Sequence, residues 1–309
     1  MPFSEAIGFI ADVDEDNPDA VDYPFSVVSH EMAHQWWAHQ VIGANVKGAT
    51  LLSESLSEYS SLKVLEKEYG KFQMRKFLKE ALDSYLRGRT REWKEENPLM
   101  YNENQQYIHY NKGSLVLYTM SDYLGEKKFN NILKEYVAEK KFQEAPYTNS
   151  IEFVNHLKAN TPDDLQYLIY DMFETITLYD NKVEKVDVKT LDNGKYQVDI
   201  TFNVSKYRTT PKGEQLFDDG DGKTLTEKVD GKEVKSLPVN DYVEVGVFGE
   251  KIKKGDYEYE NELYNKKYLI DKINNKVTII VDEKPVEVGV DPYNKLIDRD
   301  SNDNRKRVN

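Results

Sequence analysis

Two histidines four residues apart, in the run His30-Glu31-Met32-Ala33-His34, restrict this chain more than any other feature. On a helix, positions i and i+4 share a face, so the two imidazoles converge on one point. Neutral imidazoles at that separation suit Zn²⁺, which takes nitrogen ligands at about 2.0–2.1 Å in a tetrahedral shell. Glu31 stands beside the first ligand, where a carboxylate can take a proton from a water activated by the metal. The sequence thus predicts a metal-bearing helix here, with Glu31 as its base.

A catalytic zinc site needs a third protein ligand and leaves a fourth position for water. The chain has no Cys, so that ligand must be His or a carboxylate. A further His in the metzincin pattern would fall six residues after His34, preceded by Gly three residues after it; those positions hold Gln40 and Trp37. His39 has the wrong offset and is expected at the surface. Downstream, the run 51–70 carries Leu56, Tyr59, Leu62 and Leu65 at helical spacing, with Glu54 near its start and Glu58 one turn later. A carboxylate there could close the shell from a neighbouring antiparallel helix, and Glu58 could then orient a ligand imidazole. Either Glu also suits a solvated helix face.

The runs HEMAHQWW and LLSESLSEYSS together resemble the zinc aminopeptidases of the aminopeptidase N type. These are gluzincins whose helix pair reads HExxHxW and then an NEGFA-like run. The resemblance implies one zinc ion held by His30, His34 and Glu54, with Glu31 as general base. Two positions depart from the pattern: Glu54 follows His34 by one residue more than is usual, and Ser53-Glu54-Ser55 stands where the family has Asn-Glu-Gly. The loop 41–50 is expected to absorb the surplus residue, because loops tolerate insertions.

Tyr110-Asn111-Lys112-Gly113 resembles the family's Tyr-Glu-Lys-Gly, whose Tyr hydrogen-bonds the oxyanion formed as an amide is attacked. A phenol suits that role, being a neutral donor at working pH. Tyr107 and His109 are nearby alternates, with His109 read as a rim residue. Close to the start, PFSEAIGF looks like a diverged copy of the family's Gly-x-Met-Glu-Asn strand, which places Glu5 at the motif's Glu. That Glu pairs with the free α-amine of the substrate; a carboxylate there rewards an ammonium and disfavours a continuing chain.

The expected fold class is α+β. Residues 1–181 read as a thermolysin-like, mostly helical zinc peptidase domain, truncated at its N-terminal sheet. Helical periodicity recurs over 71–89, 107–125, 126–142, 150–160 and 163–176, with 90–106 as a loop punctuated by Pro98 and His156 on a packing face. After Asn181 the pattern alternates with period two between Asn-Gly and Gly-Lys turns. Residues 182–309 are therefore expected to form a small antiparallel β-sandwich of roughly six or seven strands. The acidic run 217–225 reads as a turn, and the polar residues from Asp291 onward as a fraying tail.

These residues imply a zinc-dependent aminopeptidase acting on peptides. The alternatives are a zinc-stabilised module that senses or docks peptides without cutting them, and an endopeptidase on the same zinc. A net charge of −13 argues against nucleic acid and anionic membrane surfaces as partners. No apolar run approaches a membrane span, and no signal peptide is read at the start. VEVGVDPYNKLIDR and HQVIGANVKGATLLSESLSEYS further resemble a bacterial subgroup in which such a region follows the spans of an ABC-type transporter permease. That resemblance implies a fragment of a membrane protein, with this region a soluble, extracytoplasmic domain.

Overall fold

The computed structural model describes residues 12–14, 17, 20–218, 220–254 and 257–308; Glu5 and the strand expected around it lie outside them. The chain divides into two compact units, Met1–Ile176 and Thr177–Asn309. The first is helical and the second is built from antiparallel strands.

The first unit opens on α1 (Tyr23–Ala33), which carries His30 and Glu31. Asp22 caps it, its Oδ1 accepting from Phe25 N at 2.9 Å, and Pro24 occupies the first turn, where no intrahelical bond is lost. A π turn, Leu51–Ser55, then runs directly into α2 (Leu56–Tyr69). α2 buries Leu56, Tyr59, Leu62 and Leu65, the face that its spacing predicts, and stops at Gly70, whose φ of 85° suits glycine alone. α3 (Met74–Arg91) turns Met74, Phe77, Leu78, Ala81, Leu82 and Tyr85 inward.

A second π turn, Tyr107–Lys112, leads into α4 (Gly113–Leu124), in which every residue from Gly113 to Ser121 is buried. A helix covered on all sides is the core of its unit, and α2 and α3 pack against it. α5 (Glu126–Lys140), α6 (Ser150–Asn160) and the short α7 (Gln166–Ile169) complete the shell. His156 is structural: its Nε2 donates to Ile132 O at 3.0 Å, and its ring lies against Tyr136. The segment 90–106 is more ordered than its polarity suggests. α3 continues to Arg91, a 3₁₀ turn spans Leu99–Tyr101, and Gln105 donates through Nε2 to Glu92 and to the Glu95 carbonyl.

In the second unit, β1 (Thr177–Thr190) pairs with β2 (Tyr196–Thr209) around a turn at Gly194. β3 (Gln215–Leu216) pairs with the end of β2, and β4 (Leu225–Val229) forms a separate ribbon with β5 (Lys232–Ser236). β6 (Asp241–Lys254) pairs with β7 (Tyr257–Ile270), while β8 (Asn274–Val281) pairs with β2 on the edge opposite β1. β9 (Glu287–Val290) and β10 (Arg305–Arg307) extend the β6–β7 sheet in the order β10-β9-β6-β7. The described residues thus hold ten strands rather than six or seven. The unforeseen ones are two to five residues long, too short to display alternation. β1 also starts at Thr177, ahead of the expected division at Asn181, because Leu178 and Tyr179 are buried in succession and mask the period of two.

The expectation of a fraying tail is wrong. Asp291, Tyr293, Asn294, Lys295, Leu296, Ile297 and Asp298 are all buried. Several of their polar groups find partners inside the fold: Asp291 accepts from the Lys295 and Leu296 amides, and Lys295 Nζ reaches Glu244 Oε1 at 2.7 Å. Asp298 accepts from the Asn181 amide at 2.9 Å. Arg305 then forks onto both oxygens of Glu260 at 3.0 Å. A polar stretch can be interior once each of its charges meets a partner. The acidic run near 217–225 is a turn, with Asp218 Oδ1 accepting from the Gly220 and Gly222 amides.

Candidate metal centre

α1 ends at Ala33, so His30 lies in its last turn and His34 occupies the cap position, still in a helical conformation. The two rings meet edge to face with centroids 4.7 Å apart. From the first π turn, Glu54 brings Oε2 to 3.3 Å from His30 Nε2 and 3.5 Å from His34 Nε2. One atom from each of His30, His34 and Glu54 lies within 4.8 Å of the others, the one such cluster among the described residues. Bonds of about 2.05 Å meeting near the tetrahedral angle set ligand atoms about 3.4 Å apart, so the observed separations fit zinc.

The outer face of the His34 ring is held in the sense a metal requires. His34 Nδ1 lies 2.9 Å from the Trp37 carbonyl, which can only accept. The proton therefore sits on Nδ1, and Nε2 keeps its lone pair for a cation. Trp37 is itself anchored, its Nε1 donating to Ser60 Oγ at 3.1 Å. Ser57 Oγ stands 3.1 Å from the same His34 nitrogen. On the other ring, Glu58 Oε1 approaches His30 Nδ1 to 3.2 Å, off the line of a good hydrogen bond, and supplies negative charge behind the imidazole. Glu31, half-buried, follows His30 directly; His39 is exposed, with its ring Nδ1 3.5 Å from Gln35 Nε2.

The electrostatics agree with a cation site. Burial opposes a charge on His30, but the contact with Glu54 and the negative charges of Glu58 and Glu54 outweigh it and lift its pKa to about 9. Burial works against the Glu54 carboxylate too; the His30 hydrogen bond and the two imidazoles hold its pKa below the ordinary value. In the metal-free protein a proton thus occupies the place of the cation. As a group raised above its unfolded value, His30 contributes stability that is complete below about pH 6.5 and lost as pH rises through about 9. Zinc must displace that proton, so apparent affinity is expected to rise about tenfold per pH unit up to about pH 9. Competition against a chromogenic chelator at several pH values checks this, and a flat profile would contradict it.

Tyr110 comes from the second π turn, its ring 5.8 Å from that of His30. Burial, followed by the charge of Glu54 and a hydrogen bond to it, pushes its hydroxyl up to about 12, so it remains a proton donor. The rest of its motif is explained by packing. Lys112 is fully buried with its ammonium 5.4 Å from the Tyr85 ring centroid, and desolvation lowers its pKa to about 8. Gly113 lies against Ser55, and a Cβ there would come within 2.6 Å of the Ser55 Cβ.

His109 is not at the rim: it is 1% exposed, and Asn102 Nδ2 donates to its Nδ1 at 3.2 Å. Burial drives its pKa down to about 4, so the ring is neutral. Tyr107 is turned away from the cluster, stacked on Tyr85. Sequence reasoning assigned no such role to Ser55, Ser57, the Trp37 carbonyl that accepts from His34, or Asn102. For the two serines, the recurrence of Ser over 53–61 was the one signal in the sequence.

The Peptidase family M1 domain matches residues 3–173. Endoplasmic reticulum aminopeptidase 2 of Homo sapiens is 26% identical over 125 residues, which are 38% of this chain and 13% of that protein. An M1 zinc metallopeptidase from Deinococcus radiodurans, crystallised as a mutant with a Tyr-Ser-Ala substrate, is 21% identical with a TM-score of 0.38. That match covers 48% of this chain and 32% of the other. A two-domain M1 zinc metallopeptidase bound to L-tryptophan is 22% identical with a TM-score of 0.37, over 47% and 31% of the two chains. The chain therefore spans a small part of the curated relative and about a third of the solved structures. The matched region is more than half of the chain and contains α1 and the π turns that carry Glu54 and Tyr110: the chain belongs to peptidase family M1.

Proposed function

We propose that this chain is the catalytic region of a zinc aminopeptidase, with His30, His34 and Glu54 as the metal ligands. The convergence of two imidazole nitrogens and one carboxylate oxygen at 3.3 and 3.5 Å carries the reading. When bound there, zinc supplies Lewis acidity that polarises the scissile carbonyl and acidifies the attacking water. Glu31 takes the proton from that water and hands it to the leaving amine. The Tyr110 hydroxyl donates to the carbonyl oxygen as negative charge grows on it, an interaction stronger in the transition state than in the ground state. Glu5, outside the described residues, pairs with the free α-amine of the peptide and makes the enzyme exopeptidic.

The resemblance in 39–60 and 286–299 supports a wider proposal. The parent protein is bacterial, couples this region to an ABC-type transporter permease, and presents it on the extracytoplasmic side. Among the described residues no helix is long and apolar enough to cross a membrane.

A panel of aminoacyl reporter substrates, with and without chelator, tests the activity, with bound metal counted by mass spectrometry. One zinc per chain and chelator-sensitive release from free-amine substrates is the expected result. Equal cleavage of N-acetylated peptides would replace the exopeptidase with an endopeptidase. Peptide binding without turnover would leave the docking module.

A further inference from the structure

The metal carboxylate and the tyrosine come from different π turns that are distant in sequence, yet they must be aligned to a fraction of an ångström. Each turn is wound with an i+5 bond: the Leu56 amide donates to Leu51 O, and the Gly113 amide to Ile108 O. Between them stands Ser55, adjacent to Glu54 and fully buried. Its Oγ donates to the His109 carbonyl at 2.7 Å, and its Cβ presses on the bare Cα of Gly113. Ser55 therefore grips the second turn on both sides of Tyr110. It occupies the position where the family pattern has Gly, which offers no hydroxyl.

The geometry points to Ser55 as a positioning residue that locks Glu54 to Tyr110 by joining their two turns, so that zinc affinity and transition-state stabilisation both depend on one hydroxyl. This rests on the metal and catalytic roles proposed above. Ser55 touches neither ligand nor substrate; it acts through its neighbours.

Ser150 supplies a matched control. Its Oγ also donates to a buried carbonyl at 2.7 Å, that of Met100, and it too lies where Gly48 has no room for a Cβ. No ligand or catalytic group shares its turn. In the full chain, Ser55→Ala and Ser150→Ala are expected to lower the metal-free Tm alike, by about 2–4 °C, since each orphans one buried carbonyl. Only Ser55→Ala is expected to weaken zinc binding, about tenfold to a hundredfold by competition with a chromogenic chelator, with Ser150→Ala within about twofold of wild type. On a reporter substrate, Ser55→Ala should lower kcat about tenfold with KM nearly unchanged, and have almost no further effect in a Tyr110→Phe background.

Unchanged zinc affinity in Ser55→Ala, or an equal loss in both serine variants, overturns the lock and leaves the metal site standing. Additive effects on kcat in the double variant overturn the link to Tyr110. A wild-type chain that binds no zinc overturns the metal site itself, and the lock with it.

Discussion

Glu31→Gln is expected to retain one zinc per chain and lose turnover by about 10²–10⁴-fold. The substitution keeps the size and polarity of the side chain while removing its ability to accept a proton. His30, His34 and Glu54 remain where they are, so metal content by mass spectrometry should match the wild type. KM for a free-amine reporter should move little, because Glu31 is assigned no contact with the resting substrate. The loss should be equally deep across the working pH range, since the amide has no ionised form to recover. Hydrolysis at the wild-type rate would remove Glu31 from the mechanism, and loss of zinc would make it a structural neighbour of the site.

Tyr110→Phe carries the second large effect, a fall in kcat of about 10²–10³-fold, the usual cost of deleting one oxyanion donor. Its signature differs from that of Glu31→Gln. The charge of Glu54 acts on the phenol, so losing the hydroxyl should change zinc affinity by tenfold or less while leaving it measurable. With the hydroxyl held up to about 12, the wild type should show no loss of activity from Tyr110 ionisation through pH 9. An alkaline limb that vanishes in Tyr110→Phe would instead mean that Tyr110 titrates in the working range. A decline confined to KM would assign Tyr110 to substrate binding.

The metal helix was legible because its chemistry obeys a local rule: two imidazoles one turn apart need no knowledge of the rest of the chain. Glu54 was a weaker inference, since spacing alone left Glu58 as a competitor; the structure brings Glu54 to both Nε2 atoms and sets Glu58 behind His30. The surplus residue before Glu54 was assigned to the loop 41–50. A π turn at Leu51–Ser55 is a second place able to take it up, because such a turn closes over one more residue than an α turn. Ser57 and Ser55 were not legible. Their contacts span 23 and 54 positions, and a serine between a glutamate and a leucine has the same appearance whether it faces water or a ligand. His109 misled for a similar reason: a histidine beside a loop reads as exposed, and only the Asn102 amide explains its burial. In the second unit the period of two exposed the long strands, whereas the interior tail was hidden by its own polarity.

That tail affects when the second unit can finish forming. The β1 backbone waits on partners made more than a hundred residues later: the Tyr179 amide donates to Ile297 O at 2.8 Å, and the Asn181 amide to Asp298, 117 positions away. During synthesis the helical unit can consolidate from neighbours close in sequence, but β1 keeps unmet amides until residues 297–303 have left the ribosome. A ribosome that stalls before Asp291 would therefore hold a strand-rich, incomplete sheet in the open, a template for association with other nascent chains.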